Sequence, residues 1–313
     1  MSPVDLRIGQ KYSRATMDTA TYQAQNLYYQ SAYISCIENG RAAPAGEAGS
    51  TRRLYAARSA AALGDWATTR SFVGDGVEFQ AVALLADALE GLESGNEIDE
   101  LLAQFSALIS DAPDSVTVRY CAALAAFSAG DAEGALTTLN VDGSGSCKEL
   151  ECVALGVHIL LAINRIDLAD KEFLAARQWG DDALLVQLME AWIALARGGR
   201  ATQQAYYVYD EMSQSTNIAN TPGVIPTLVG KAVASAALGE AAQGRDVLTA
   251  ADRLGGDAQV SANIAVLSAL EPAGNADSEC VSTNRSVATV HHPIAADWAA
   301  KRAELSDAIS SFA

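Results

Sequence analysis

Apolar residues return along this chain at three- and four-residue steps, and each such run breaks at a short polar turn carrying Gly or Asn. That period belongs to helices with one buried face. It is clearest between residues 151 and 182. There Val153, Gly156, Val157 and Leu160 share one face of a helix, Asn164-Arg165 makes a turn, and Ala169, Phe173 and Ala176 line the facing stripe of a second helix. A small residue such as Ala169 lets two antiparallel helices approach closely, and a large one such as Phe173 fills the groove beside it. The predicted unit is therefore a two-helix hairpin. One hairpin alone leaves a face wet, so the units must stack.

With Ala169 as the anchor, equivalent positions fall at Cys36, Thr69, Leu101, Ala135, Ala205 and Gly244, at separations of 33, 32, 34, 34, 36 and 39 residues. Turns recur in phase at Gly64-Asp65-Trp66 and Gly130-Asp131-Ala132, and Tyr209 takes the place of Phe173. A period near thirty-four with this alternation of small and large positions is the tetratricopeptide pattern. The fold class predicted is all-α: one tetratricopeptide-type solenoid over 1–313, with about seven hairpins over 17–268 and a C-terminal capping helix over 294–312. That last helix is read from Ile294, Trp298, Leu305, Ile309 and Phe312, with Pro293 near its first turn. The Gly-, Pro- or Ser-rich stretches 41–50, 141–147, 213–226 and 271–286 are expected to be connectors.

Composition narrows the function more than the fold. Apolar residues make up 50% of the chain while aromatic residues are only 6%, which favours helices meeting through small side chains. A net charge of -17 repels phosphate backbones and anionic lipid, so no nucleic-acid partner is expected and membrane association should be indirect. The longest apolar stretch, Cys152 to Ile163, is too short to span a bilayer. The start MSPVDLRIGQ lacks the features of a secretory signal, which predicts a cytoplasmic protein. Five irregularly spaced cysteines then read as reduced, mostly buried thiols.

By repeat phase, the first helix of each hairpin projects Tyr120, Leu124, Phe127, His158, Leu161, Glu190 and Arg197 onto the concave face. These are the candidate partner-binding residues; inter-repeat packing is the competing role for Tyr120, Leu124, Phe127 and Leu161. Gly156, Ala169, Phe173, Ala176, Trp192, Ala205 and Tyr209 are assigned to repeat packing, with Trp192 and Tyr209 facing the sister helix. Asp65, Asp131 and Asp167 are read as turn and capping residues. Glu97, Asp99, Glu100, Asp181 and Asp182 are placed beside helix N-termini. His291-His292 has no third ligand at a telling spacing, and His158 has no His or Glu four residues away. No catalytic residue, cofactor or metal is expected, and the chain is read as not an enzyme.

The stretch from Leu150 to Ser213 resembles the central part of coatomer epsilon subunits, through LEC at 150–152, ILL at 159–161, IDLADKE at 166–172, WIALARGG at 192–199 and QQAYYVYDEM at 203–212. Weaker similarity extends through Asn26-Leu27-Tyr28-Tyr29, Tyr33, Cys36 and Ile37, and through His292-Pro293 and Phe312-Ala313. The loops 41–50, 213–226 and 271–286 depart from the family pattern, as does Ala241. The resemblance implies a structural subunit of the coatomer coat, bound to the C-terminal region of the alpha subunit among the other coatomer subunits. It also implies a place on Golgi membranes and coated vesicles, in Golgi-to-endoplasmic-reticulum and intra-Golgi transport. The alternative is an independent peptide receptor that clamps a terminal carboxylate, for which only Arg197 and Arg58 are candidate cations.

Overall fold

The computed structural model describes residues 18–46, 49–72, 74–215, 218–219, 221–256, 258–270 and 293–312. Every regular element among them is helical, as the periodicity predicts. Helices α1 (Thr19–Tyr29) and α2 (Tyr33–Arg41) form the first hairpin, followed by α3 (Ser50–Ala62) with α4 (Trp66–Ser71) and α5 (Val77–Glu93) with α6 (Asp99–Asp111). Then come α7 (Val116–Ser128) with α8 (Ala132–Leu139), α9 (Leu150–Ala162) with α10 (Ile166–Gly180), α11 (Leu184–Arg197) with α12 (Thr202–Ser213), and α13 (Ile225–Ala237) with α14 (Ala241–Arg253). A further helix, α15 (Ala258–Leu270), lies against α13 and α14.

Local chemistry sets the hairpin turns. Gly64, Gly130, Gly239 and Asn164 each follow a first helix with positive φ, a region closed to most side chains but open to Gly and tolerated by Asn. Asp65 and Asp131 then cap the second helices, accepting the N–H of Thr68 at 3.0 Å and of Gly134 at 2.8 Å. Asp167 departs from this role and pairs with Arg165. Asp181 likewise ends α10 and meets Arg177, so it serves a helix C-terminus instead of the N-terminus expected.

Cys36, Thr69, Ala135, Ala169 and Ala205 are wholly buried where paired helices cross. Leu101 holds the corresponding place in α6 and is only half-buried. A leucine does not fit the close crossing that alanine makes elsewhere, and α6 is anchored by Phe105.

The stack curls back on itself. Ala24, Leu27, Ala32 and Cys36 of the first hairpin share one core with Ile218 and Val224, against which Leu228 and Leu254 also pack. A Cβ on Gly223 would come within 3.0 Å of the Ala32 Cβ. The stretch expected as a polar loop over 213–226 thus holds a short 3₁₀ turn, Pro222–Val224, and the first turn of α13. Its apolar residues close the ring.

The C-terminal segment departs from the expectation more fully. Helix α16 (Pro293–Phe312) forms, but the side chains of 297–311 are all exposed and cover no other hairpin. Trp298, Leu305 and Ile309 are each more than 60% exposed. The connector 271–286 and His291-His292 lie outside the described residues. No helix among the described residues is long and apolar enough to cross a membrane.

Candidate protein-binding face

The inner face of the ring is the one its first helices share, and part of it is filled by the chain itself. From α1, the Tyr29 hydroxyl donates to Glu151 Oε1 on α9 at 2.6 Å, and the Tyr55 hydroxyl of α3 donates to the same oxygen at 3.0 Å. The other carboxylate oxygen lies 2.8 Å from Arg58 Nη2, and both side chains are nearly inaccessible. The Arg58 guanidinium is stacked between the rings of Tyr28 and Tyr120, at 4.4 and 4.5 Å. Gln25 Nε2 donates to the hydroxyls of Tyr29 and Tyr55, both at 2.9 Å.

Burial alone would push the Glu151 pKa up, but Arg58 and the two tyrosine hydroxyls outweigh it and hold the carboxyl below its ordinary value. Burial would likewise lower Arg58, and Glu151 together with Tyr28, Tyr120 and Tyr55 more than reverses it. This assembly is a buried charged plug, with the rings of Tyr28, Tyr55 and Tyr120 around its guanidinium.

One turn and more along the same helices, the face is open. Tyr120 and Phe127 are seven residues apart on α7, as are Glu151 and His158 on α9, which sets each second residue about 10 Å further along one helix face. His158 packs edge-on between Phe127 and Trp192, with ring centroids at 6.2 and 6.1 Å. Phe127 and Trp192 are half-buried and His158 is exposed. Desolvation beside these rings lowers the His158 pKa, which favours the neutral imidazole. Half-buried Leu124 and Leu161 border the row. The result is an apolar, uncharged strip across three successive hairpins.

The predicted partner-binding residues are thus only partly brought together. Phe127 and His158 meet, and Leu124 and Leu161 lie three residues from them on the same helices. Tyr120 is engaged within the chain, its hydroxyl 3.3 Å from that of Tyr28. Arg197 turns to Asp170 of α10. Glu190 and Arg197 lie on roughly the opposite side of α11 from Trp192, by the 3.6-residue turn. Trp192, assigned to packing against its sister helix, meets Tyr209 of α12 and also extends the row beside His158. Arg58, considered as a clamp cation, is buried in the plug.

The remaining packing residues are buried, among them Ala169, Phe173, Ala176, Ala205 and Tyr209. Gly156 is buried too, against Val141 of the connector before α9: a Cβ there would lie 2.6 Å from Val141 Cγ1. Tyr209 packs over Gly230 of the next hairpin, and burial raises its pKa to about 12. No cluster of three or more metal-ligating side chains occurs among the described residues.

These features define the class: a curled helical-hairpin solenoid of the tetratricopeptide type. Two solved structures share the fold. A tetratricopeptide repeat protein from Parabacteroides merdae aligns with a TM-score of 0.53 at 11% identity, over 87% of this chain and 94% of that one. The Cut9–Hcn1 hetero-tetramer of the APC/C aligns with a TM-score of 0.58 at 15% identity, over 90% of this chain and 55% of that one. The family model for the coatomer epsilon subunit matches residues 17–313. Coatomer subunit epsilon-2 of Oryza sativa subsp. japonica is 30% identical over 259 residues, 78% of this chain and 82% of that protein. Its Arabidopsis thaliana counterpart is 26% identical over 251 residues, 79% and 82% of the two chains. This chain belongs to the coatomer epsilon subunit family.

Proposed function

We propose that the chain is a non-catalytic structural subunit of a coatomer vesicle coat, which binds and stabilises the C-terminal region of the alpha subunit. The observation that carries this reading is the row Phe127–His158–Trp192, an apolar strip left open on the inner face beside the buried Arg58–Glu151 pair. Half-exposed aromatic anchors of this kind supply binding energy at protein interfaces. Family membership supports another coatomer subunit as the partner. The role is in Golgi-to-endoplasmic-reticulum retrograde and intra-Golgi transport, on the cytosolic face of Golgi membranes and coated vesicles. Attachment to the membrane is indirect, since a chain of net charge -17 is repelled by anionic lipid.

The test is to mix purified chain with the alpha C-terminal region at micromolar concentration and follow elution by light scattering. One co-eluting species supports the proposal, and two separate species refute it. The peptide-receptor alternative needs free cations on the inner face. Its two candidates are engaged, Arg58 with Glu151 and Arg197 with Asp170. Tight saturable binding of acidic C-terminal peptides would nevertheless favour that reading.

A further inference from the structure

Three successive first helices, α3, α5 and α7, end at Ala62, Glu93 and Ser128. These residues line one open hollow of about 430 Å³, walled further by Trp66, Leu89 and Leu92. A helix leaves its last carbonyls without partners of its own, and the N–H groups of the following turn take some of them up. In all three turns they reach back to earlier carbonyls, Asp65 to Ala60, Asn96 to Gly91 and Asp131 to Ala126. Among the described residues no hydrogen bond reaches the carbonyls of Ala62, Glu93 or Ser128. The hollow thus collects the negative ends of three helices.

Side chains add a carboxylate and an aromatic face. A Cβ on Gly64 would stand 3.8 Å from Cζ2 of Trp66 and 3.9 Å from Oε1 of Glu93. Ring and carboxylate oxygen therefore flank one point of the mouth, left open because Gly64 has no side chain. One turn earlier on α5, Glu90 and Asp87 are both paired with Arg70, which lies four residues after Trp66 on α4. Glu93 carries that acidic seam to the end of α5. It is exposed, and among the described residues no cation pairs with it.

We propose that this hollow is a docking site for an arginine of a partner protein. The guanidinium stacks on the Trp66 ring, gives two N–H groups to the Glu93 carboxylate and turns the others to the free helix-end carbonyls. Charge favours the approach, since the chain carries a net -17. The chain uses the same chemistry within itself, where Arg58 lies between the rings of Tyr28 and Tyr120 and meets Glu151. A lysine ammonium lacks both the flat face and the fork. The site is separate from the aromatic row and stands whatever protein covers that row.

The experiment uses the full chain with ¹⁵N in the indoles of its four tryptophans, followed by NMR as the peptide acetyl-Gly-Arg-Gly-amide is added. Trp66→Phe assigns the Trp66 signal; should that variant not fold, Phe at 179, 192 and 298 in turn assigns it by elimination. The Trp66 signal should shift saturably while those of Trp179, Trp192 and Trp298 stay in place. Glu93→Gln should weaken binding about tenfold. Glu211→Gln, which removes an exposed carboxylate of α12, should leave it unchanged. Peptides with lysine or with uncharged citrulline in place of arginine should bind more weakly than the arginine peptide. No saturable shift at Trp66, an undiminished one in Glu93→Gln, or a lysine or citrulline peptide bound as tightly as the arginine one would overturn the proposal.

Discussion

The Arg58 guanidinium lies 2.8 Å from the Glu151 carboxylate and joins the second hairpin to the fifth. In a repeat array each unit normally touches only its neighbours, so this contact belongs to the curl of the whole stack. Removing one partner strands a buried charge. Glu151→Gln is expected to destabilise the protein by about 3–5 kcal/mol, whereas Arg70→Met, which removes an exposed pair with Asp87 and Glu90, should change stability far less. Arg58→Met/Glu151→Leu should recover most of the loss. Urea denaturation of the four proteins measures all three statements, and equal effects for Glu151→Gln and Arg70→Met would show that the pair is not structural.

The same pair makes a prediction about acid. Glu151 has a folded pKa below its ordinary value of 4.5, so its contribution is fully present above that value and fades as pH falls through the lower folded one. Stability measured against pH should therefore stay similar for wild type and Arg58→Met/Glu151→Leu above pH 4.5, with wild type falling away from the double variant below it. Curves that stayed parallel into that range would remove Glu151 as the source.

The repeat itself was legible in the sequence because it is local: Ala169 and Phe173 stand one helical turn apart, and the small-then-large alternation is written into each unit. The plug was not. Arg58 sits in an Ala-rich run where it reads as a surface residue, and its carboxylate partner is three hairpins away. Trp192 faces Tyr209 of its sister helix as assigned and also borders His158, while Tyr120 takes the packing role that stood beside partner binding. The aromatic row was half visible, with Leu124, Phe127, His158 and Leu161 sharing one phase and Trp192 outside it. Ile218 and Val224 show where a signal was missed: two apolar residues in a polar stretch mark a segment that packs.

Gly156 offers a test of how the connector before α9 is fastened. A Cβ at this position would lie 2.6 to 2.8 Å from three atoms of Val141, which is itself 1% exposed. Gly156→Ala should gain helix propensity yet lose about 1–3 kcal/mol through overpacking. Adding Val141→Ala should return part of that loss. A double-mutant cycle on chemical denaturation gives the coupling, and strict additivity would mean the two residues do not meet.

Closure of the ring rests on few side chains. Ile218 is wholly buried between the first hairpin and the start of the seventh, so Ile218→Ala should destabilise by about 2–4 kcal/mol. The effect should also be local, because the repeats between are packed independently of it. Hydrogen exchange should quicken in α1, α2 and the start of α13, and stay slow in α9 and α10. Uniform loss of protection along the chain would argue that the ring does not close through this contact.

The aromatic row joins the proposed binding to pH. His158 has its pKa lowered from 6.5 by desolvation alone, so the ring is neutral at neutral pH. A depressed histidine contributes stability that is present above its unfolded value and lost as pH falls through the folded one. A partner covering the row would desolvate the imidazole further and widen that gap. Affinity for the alpha C-terminal region should therefore fall as pH drops below 6.5 and through the lowered value, and His158→Phe should bind without that acid dependence. At neutral pH, Phe127→Ala and Trp192→Ala should each weaken binding by about 2 kcal/mol, roughly thirtyfold. Tyr120→Phe should change it little, since that hydroxyl meets Tyr28. Calorimetric titrations across pH 5 to 8, with melts to show that each variant is folded, measure both effects. If Phe127→Ala and Trp192→Ala bound as tightly as wild type, the partner would sit elsewhere on the ring.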